Sequence, residues 1–396
     1  MIVTIVTETY SPDVNGVAMT LGRLTSGLSE AGHLVQLVCT SSKKRTQLDL
    51  PDNITYYPVY GVPIPRYNEA RFGLPSRNIL KELWNKRRPD VIYVATEGPL
   101  GWSAIKLANE FSIPTISGFH TNFHSYSKHY GVGIIEKIVE RYLISLHNKS
   151  GLTLTPTKQQ KDKLIKMGIK NVSVLGRGVD AALFSPRKRS LSLRKNWGAC
   201  FDHEPVMLYV GRIAAEKNLE LAVKTYHAMY EKNNKLKFVL VGDGPLRNKL
   251  QIENPNFIFA GVKTGEELAM YYASSDVFIF PSMSETFGNV VLEAMASGLG
   301  VIGYDYAAAN MHIKHGINGM LANFDDAYDF IQNASEYMNN DVLLTGVKLA
   351  ASEHALKHRW YDVVNEFESL LSFSAFKAFN NYILDEDLSN VLDITN

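Results

Sequence analysis

Short apolar runs recur along this 396-residue chain at the intervals of an alternating strand–helix pattern. In the first half they are Met1–Val6, Leu34–Cys39, Asp90–Ala95, Thr115–Gly118 and Leu152–Pro156, with helical stretches such as Gly22–Ala31 and Trp102–Phe111 between them. In the second half they are Pro205–Val210, Lys237–Val241, Phe257–Phe259, Val277–Phe280 and Gly300–Gly303. That alternation is the signature of parallel sheets with crossover helices, an α/β fold. The length suits two domains, each large enough to bury its own core. The pattern breaks at Gly176–Arg189, where Gly-Arg-Gly-Val-Asp, Ser185-Pro186 and a basic cluster predict a linker.

Composition narrows the class. Apolar residues make up 45% and charged residues 20%, ordinary for a globular α/β enzyme. Cys39 and Cys200 lie far apart, which argues against a disulfide framework and agrees with a reducing cytoplasm. The start, Met1-Ile2-Val3-Thr4-Ile5-Val6, reads as a first strand and not as a signal peptide, and no apolar run approaches the ~20 residues of a membrane span. A cytoplasmic protein is expected. The net charge of +1 hides an asymmetry: residues 1–180 carry 22 Lys+Arg and 14 Asp+Glu, and the remainder carries 19 and 26. Two domains facing different partners would show such a split, as would two halves that attract each other.

The chemistry concentrates in Glu285-Thr286-Phe287-Gly288-Asn289-Val290-Val291-Leu292-Glu293. A buried strand, Val277–Phe280, precedes this stretch, and a short helix stopped by Gly298 follows it. Glu285 therefore stands on the loop leaving a strand, and Glu293 lies inside the next helix. Between them a helix N-terminus offers backbone N–H groups that bind phosphate readily. Carboxylates suit sugar hydroxyls, so a site needing both is a nucleotide-sugar site. In Gly211-Arg212-Ile213-Ala214-Ala215-Glu216-Lys217 two cations follow a strand end, placed to stabilise a departing diphosphate without a metal. Gly242 and Gly244 punctuate a strand-to-helix turn and read as mostly structural. Lys263 follows another strand end, and a solvated lysine is the plain reading of it. Pro12-Asp13-Val14-Asn15-Gly16-Val17 follows the first strand, and Gly16 would let backbone approach a phosphate. Asn15 stands where a second glycine would serve, tolerable because Asn visits left-handed conformations. Asp180 reads as structural, at a cap. His120, His124 and His129 lie in an aromatic-rich loop after Thr115–Gly118 with no Cys or acidic cluster nearby, which argues against metal there.

These motifs, in this order, resemble the retaining glycosyltransferases of family 4 (group 1), whose Glu-x7-Glu segment matches Glu285 to Glu293. Within that family the chain is similar to the subgroup holding bacterial GDP-mannose-dependent α-mannosyltransferases and sulfoquinovosyl-lipid synthases. The resemblance implies the GT-B arrangement, two Rossmann-like domains with parallel sheets facing a central cleft. It implies an acceptor-binding domain over 1–185 and a nucleotide-sugar donor-binding domain over 186–371, with the tail 372–396 packing back on the first. It implies a hexosyltransferase that moves a hexose, mannose from GDP-mannose as first choice, to a lipid or glycan acceptor with retained configuration. His120, Arg212, Lys217 and Glu285 are then the catalytic residues. Gly16, Lys263, Gly288, Asn289, Val290 and Glu293 bind the donor, with Glu293 on the ribose.

Other classes leave different traces. A nicotinamide dehydrogenase needs Gly-x-Gly-x-x-Gly between strand and helix, and Gly131-Val132-Gly133-Ile134-Ile135-Glu136 fails at its third glycine. A sugar-nucleotide epimerase, a UDP-sugar-dependent glycolipid synthase and a non-catalytic sugar-binding relative remain as alternatives. No cofactor or metal is expected: the one Asp-x-Asp triplet, Asp385-Glu386-Asp387, lies in the polar tail over Asp385–Asn396, which reads as frayed. Nucleic acid is not an expected partner. Residues 66–88 hold Arg66, Arg71, Arg77, Lys81, Lys86, Arg87 and Arg88, interleaved with Tyr67, Phe72 and Trp84. Such a segment either docks peripherally on an anionic membrane or forms a solvated basic helix.

Overall fold

The computed structural model of the chain describes residues 1–41, 49–64, 67–120, 133–201 and 204–393. They form two compact units, residues 1–176 with 361–396, and residues 177–360.

The first unit is built on seven strands, β1 (Ile2–Thr7), β2 (Leu34–Thr40), β3 (Ile54–Val59), β6 (Val91–Val94), β7 (Thr115–Gly118), β8 (Leu152–Thr155) and β9 (Val172–Val174). All pair in parallel in the order β3-β2-β1-β6-β7-β8-β9. Helices cover the sheet on both faces, so the central strands are apolar throughout: Val3, Ile5, Val6, Ile92 and Val94 are fully buried. A separate antiparallel hairpin, β4 (Gly61–Ile64) and β5 (Tyr67–Gly73), sits beside the sheet. The helix Gly16–Glu30 begins where the Asn15 side chain accepts the N–H groups of Val17 and Ala18 at 3.1 and 2.9 Å. Asn15 is extended here (φ −152°), so it serves by capping and not by the left-handed geometry the sequence suggested.

The C-terminal helix, Trp360–Asp393, belongs to this first unit from Tyr361 onward and carries helical backbone past Asp385, where fraying was expected. Val364 packs against Gly27, where a Cβ would come within 2.6 Å of its methyls. Phe367 meets Tyr93 edge to face at 4.9 Å, and Glu368 bonds His33 at 2.9 Å. Those contacts move the return crossing from 371/372 to 360/361.

The second unit has six strands, β10 (Val206–Val210), β11 (Lys237–Val241), β12 (Ile258–Gly261), β13 (Val277–Phe280), β14 (Gly300–Tyr304) and β15 (Met320–Ala322). They are parallel in the order β12-β11-β10-β13-β14-β15. All of the predicted linker Gly176–Arg189 but Gly176 is a packed part of this unit, so its first boundary falls at 176/177 and not at 185/186. Val179 bridges to Arg359, and the Asp180 carboxylate accepts the N–H groups of Ala182 and Leu183. Beyond it, Asp276, buried at the foot of β13, binds Arg189 at 3.1 Å, Arg194 at 2.9 Å and Lys348 at 3.2 Å. Burial would raise its carboxyl, but these three cations outweigh it and hold the group below the usual carboxylate range.

The loops leaving β10 and β11 stack by way of glycine. Gly242 has φ +136°, and a Cβ on it would stand 1.9 Å from the Gly211 carbonyl oxygen. Gly242→Ala should therefore destabilise the second unit by about 3 kcal/mol, because neither the φ nor a backbone oxygen can yield cheaply. Thermal unfolding of the purified variant reads this as a lowered Tm, and an unchanged Tm contradicts it.

Candidate functional site

In an open parallel sheet, neighbouring loops diverge where the strand order reverses, and ligands bind beyond the carboxyl ends of the strands at that point. In the second unit the reversal lies at β10, which pairs with β11 on one side and β13 on the other. The loops leaving β10 and β13 are Gly211–Asn218 and Pro281–Gly288. They carry the two sequence motifs, and the structure brings these side by side. Lys217 Nζ donates to Glu285 Oε1 in an ion pair in which both side chains are largely covered. Arg212 pairs with Glu216 at 3.3 Å, and Ser284 Oγ bonds the Glu216 carbonyl at 3.3 Å.

Backbone shape follows from residue type. The Gly211–Asn218 loop closes in a 3₁₀ turn, Ala215–Lys217, and Asn218 takes φ +52° before the helix Leu219–Lys232. Tyr209 reaches from β10 to donate its hydroxyl to the Arg212 carbonyl at 2.8 Å. Tyr306 likewise holds the Glu285 carbonyl at 2.6 Å. Gly288 has φ +99° and precedes the helix Asn289–Ala296, where a Cβ would lie 2.7 Å from the Phe280 ring. The first turn of that helix, with Asn289 and Val290, presents N–H groups that lack intrahelical acceptors.

Glu293 lies inside this helix, 7% exposed, and accepts a 2.9 Å hydrogen bond from the buried Tyr272 hydroxyl. Burial raises its carboxyl to about 7, and the Tyr272 bond only partly opposes this. Lys263 follows β12, bonds Glu267 and stands 5.4 Å over the Tyr271 ring. Sequence reasoning missed Tyr209, Tyr272 and Tyr306, because a buried tyrosine that holds a backbone or carboxylate oxygen has no local pattern.

The first unit has its own reversal, between β1 and β6. Two carboxylates the sequence reading passed over stand there, Glu8 just after β1 and Glu97 just after β6. Both follow strand ends at the reversal, which is the signal that could have found them. Glu8 accepts the Gly73 N–H at 3.0 Å and is raised to about 7 by burial. Glu97 is raised to about 8, by burial first and by the Glu8 charge in addition, while the His120 backbone N–H donates to it. Its Oε1 faces His147 Nε2 at 3.9 Å, and burial lowers His147 to about 4. His120 is buried after β7 and bonds the Tyr93 hydroxyl at 2.7 Å. Gly16 is the first residue of its helix. Residues 121–132, with His124 and His129, lie outside the described residues.

Arg66 of the basic segment lies outside the described residues, and the rest, from Tyr67 to Arg88, is not one helix. Its first part is β5, and only Arg77–Lys86 is helical. Trp84 is buried in the core, 1% exposed. Arg71 bonds the Gly61 carbonyl, Arg77 pairs with Glu110, and Arg88 holds the Phe111 carbonyl at 2.6 Å. Lys81, Lys86 and Arg87 are exposed, as is Phe72 of the hairpin.

Fold and site together define a GT-B glycosyltransferase, with two doubly wound parallel units and a charged switch point. Residues 14–183 match the family model described as Glycosyltransferase Family 4, and residues 204–340 match that described as Glycosyl transferases group 1. A GDP-mannose-dependent alpha-mannosyltransferase of Corynebacterium glutamicum is 31% identical over 91% of this chain and 86% of its own. An alpha-monoglucosyldiacylglycerol synthase of Streptococcus pneumoniae is 29% identical over 97% of this chain and 86% of its own. Among solved structures, a sucrose-phosphate synthase from Thermosynechococcus elongatus superposes with a TM-score of 0.77 at 17% identity, over 93% of this chain and 98% of that one. The chain belongs to the group 1, family 4 glycosyltransferases.

The raised carboxyl of Glu293 makes a stability prediction. Below about pH 4.5 both folded and unfolded chains hold the proton, and burial of this group costs nothing. As the pH rises from 4.5 to about 7 the unfolded chain releases the proton first, so stability is lost through that window. The full displacement is worth about 3 kcal/mol. Glu293→Gln keeps an acceptor for Tyr272 and removes this cost. In ligand-free protein its Tm should match the wild type near pH 4.5 and exceed it by roughly 5–10 °C at pH 8. A difference independent of pH would contradict the assignment.

Proposed function

We propose that the protein transfers a hexose from a nucleoside-diphosphate sugar, mannose from GDP-mannose as the first choice, to a lipid or glycan acceptor with retention of the α-configuration. The observation that carries this reading is the juxtaposition at β10 and β13: two cations, two carboxylates and a helix N-terminus share one switch point. Arg212 and Lys217 stabilise the diphosphate as it leaves, supported by the amides of Gly16, Asn289 and Val290. Gly288 gives the backbone room for that approach. Glu285 exchanges Lys217 for hydroxyls of the donor sugar once the diphosphate takes up the lysine. Glu293 holds the ribose hydroxyls, Lys263 reads the base, and His120 orients the sugar. The acceptor attacks from the face the phosphate leaves, and the departing phosphate takes its proton, so no carboxylate nucleophile is required. The charges are supplied by side chains, and no metal takes part.

A second reading, transfer of glucose to diacylglycerol, is favoured by the synthase relative from Streptococcus pneumoniae. Under both readings a lipid acceptor brings the first unit to a membrane surface. Lys81, Lys86, Arg87 and Phe72 are the exposed groups available for this, each cation being worth about 1 kcal/mol beside an anionic leaflet. No helix among the described residues is long and apolar enough to cross a membrane.

Transfer of labelled sugar from GDP-mannose and from UDP-glucose to a lipid extract tests the chemistry. Arg212→Ala and Lys217→Ala should each lower turnover by roughly 10²–10³, with little change in Tm, and wild-type turnover should be unaltered by EDTA. Near-normal turnover of Arg212→Ala, or loss in EDTA restored by Mg²⁺, would sink this account. Sedimentation with vesicles tests the surface. Binding to anionic vesicles should weaken with salt and in Lys86→Glu/Arg87→Glu; equal binding to neutral vesicles, or none to either, removes the docking proposal.

A further inference from the structure

Three histidines that the donor site does not use converge elsewhere in the second unit. His312 ends the helix Ala307–His312, His354 lies in the last turn of the helix Asp341–Ala355, and His358 follows the turn that closes that helix. His312 Nδ1 is 3.3 Å from His354 Nε2. The His358 ring lies 4.6 Å, centroid to centroid, from each of the other two. One ring nitrogen from each residue falls within 4.8 Å of the others. His312 is buried, and His354 and His358 are half-buried.

A hydrogen bond between two neutral imidazoles accounts for the pairing of His312 with His354. It does not account for the third ring turned onto the pair. We propose that His312, His354 and His358 form a binding site for one borderline divalent transition metal of the zinc type, held by three imidazole nitrogens. A tetrahedral zinc with Zn–N of about 2.0–2.1 Å places its ligand atoms about 3.4 Å apart. The His312–His354 spacing already meets this, and the most distant nitrogen has to close by no more than about 1.5 Å, a side-chain rotation for half-buried rings.

The chemistry selects the ion. Imidazole nitrogens bind a metal in their neutral form, and three of them offer no negative charge to attract an ion. Lys314 and Lys357 stand close enough to add positive charge at His354. An ion held by charge alone is therefore repelled, and Mg²⁺ and Ca²⁺ also want oxygen ligands. Zinc, cobalt, nickel and copper bind imidazole well enough to overcome that. Three protein ligands leave a fourth position for water.

Such an ion would act as a brace and takes no part in the transfer step. It would tie the end of the helix Ala307–His312 to the end of Asp341–Ala355. His312 stands edge to face with Phe287 at 5.7 Å, and the Ala308 N–H bonds the Phe287 carbonyl at 2.9 Å, so the brace bears on the loop between Glu285 and Glu293. On the other side the His358 carbonyl accepts the Val179 N–H at 2.8 Å, where the chain enters the second unit.

Zinc titration of the chelator-stripped, untagged full chain against a chromophoric competitor tests the site. The wild type should bind one equivalent and gain Tm on zinc addition but not on Mg²⁺. His354→Ala and His358→Ala should each weaken binding roughly 10²-fold and lose the Tm gain, while His354→Cys, still a zinc ligand, should keep binding within about tenfold. Circular dichroism identical to wild type shows that the variants fold. No uptake by the wild type, or one equivalent bound unchanged by both alanine variants, overturns the proposal.

Discussion

The ion pair between Lys217 and Glu285 joins two loops that are far apart in sequence and adjacent only because the strand order turns back at β10. Several features of the second unit hold those loops. Glycines at 242 and 244 let the turn after β11 approach the backbone of the turn after β10 more closely than any side chain would permit. Tyr209 and Tyr306 each fix one loop through a backbone carbonyl, leaving the charged side chains turned to each other. Asp276, at the opposite end of β13, gathers three cations and pins the entering chain to the sheet.

Burial sets a second theme. Where a carboxylate is paired with cations, as Asp276 is, its proton is lost readily. Where burial outweighs the hydrogen bonds it accepts, as at Glu8, Glu97 and Glu293, the carboxyl is held well above the usual carboxylate range. In the first unit the Glu97 carboxyl accepts the His120 backbone N–H.

Much of this was legible in the chain. The central strands of both sheets were readable because they are buried on both faces and apolar throughout. In the two large sheets the strands that escaped, β3, β9 and β15, are edge strands, and the separate hairpin β4–β5 escaped as well. β3 contains Pro58, which an edge tolerates, and β9 and β15 are three residues each, too short for a pattern. The motifs carrying Arg212, Lys217, Glu285 and Glu293 could be read because charge next to a strand end is unusual. Their partners Glu216, Tyr272 and Tyr306 could not, since those pairings exist only once the strand order is known. The basic stretch over 66–88 misled for a related reason: composition does not reveal that Trp84 faces the core or that Arg77 and Arg88 are occupied. The boundaries shifted because Val179 and Arg359 pair across a stretch that local sequence marks as a break.

The central claim is that the switch point at β10 and β13 receives the diphosphate of a sugar donor. A crystal structure of the protein soaked with a nucleoside diphosphate tests it most directly. The account predicts diphosphate oxygens within hydrogen-bond distance of Arg212, Lys217 and the Asn289 amide, with the ribose hydroxyls on Glu293. A nucleotide seated elsewhere, with Lys217 and Glu285 still paired and the Asn289 amide free of phosphate, would contradict it.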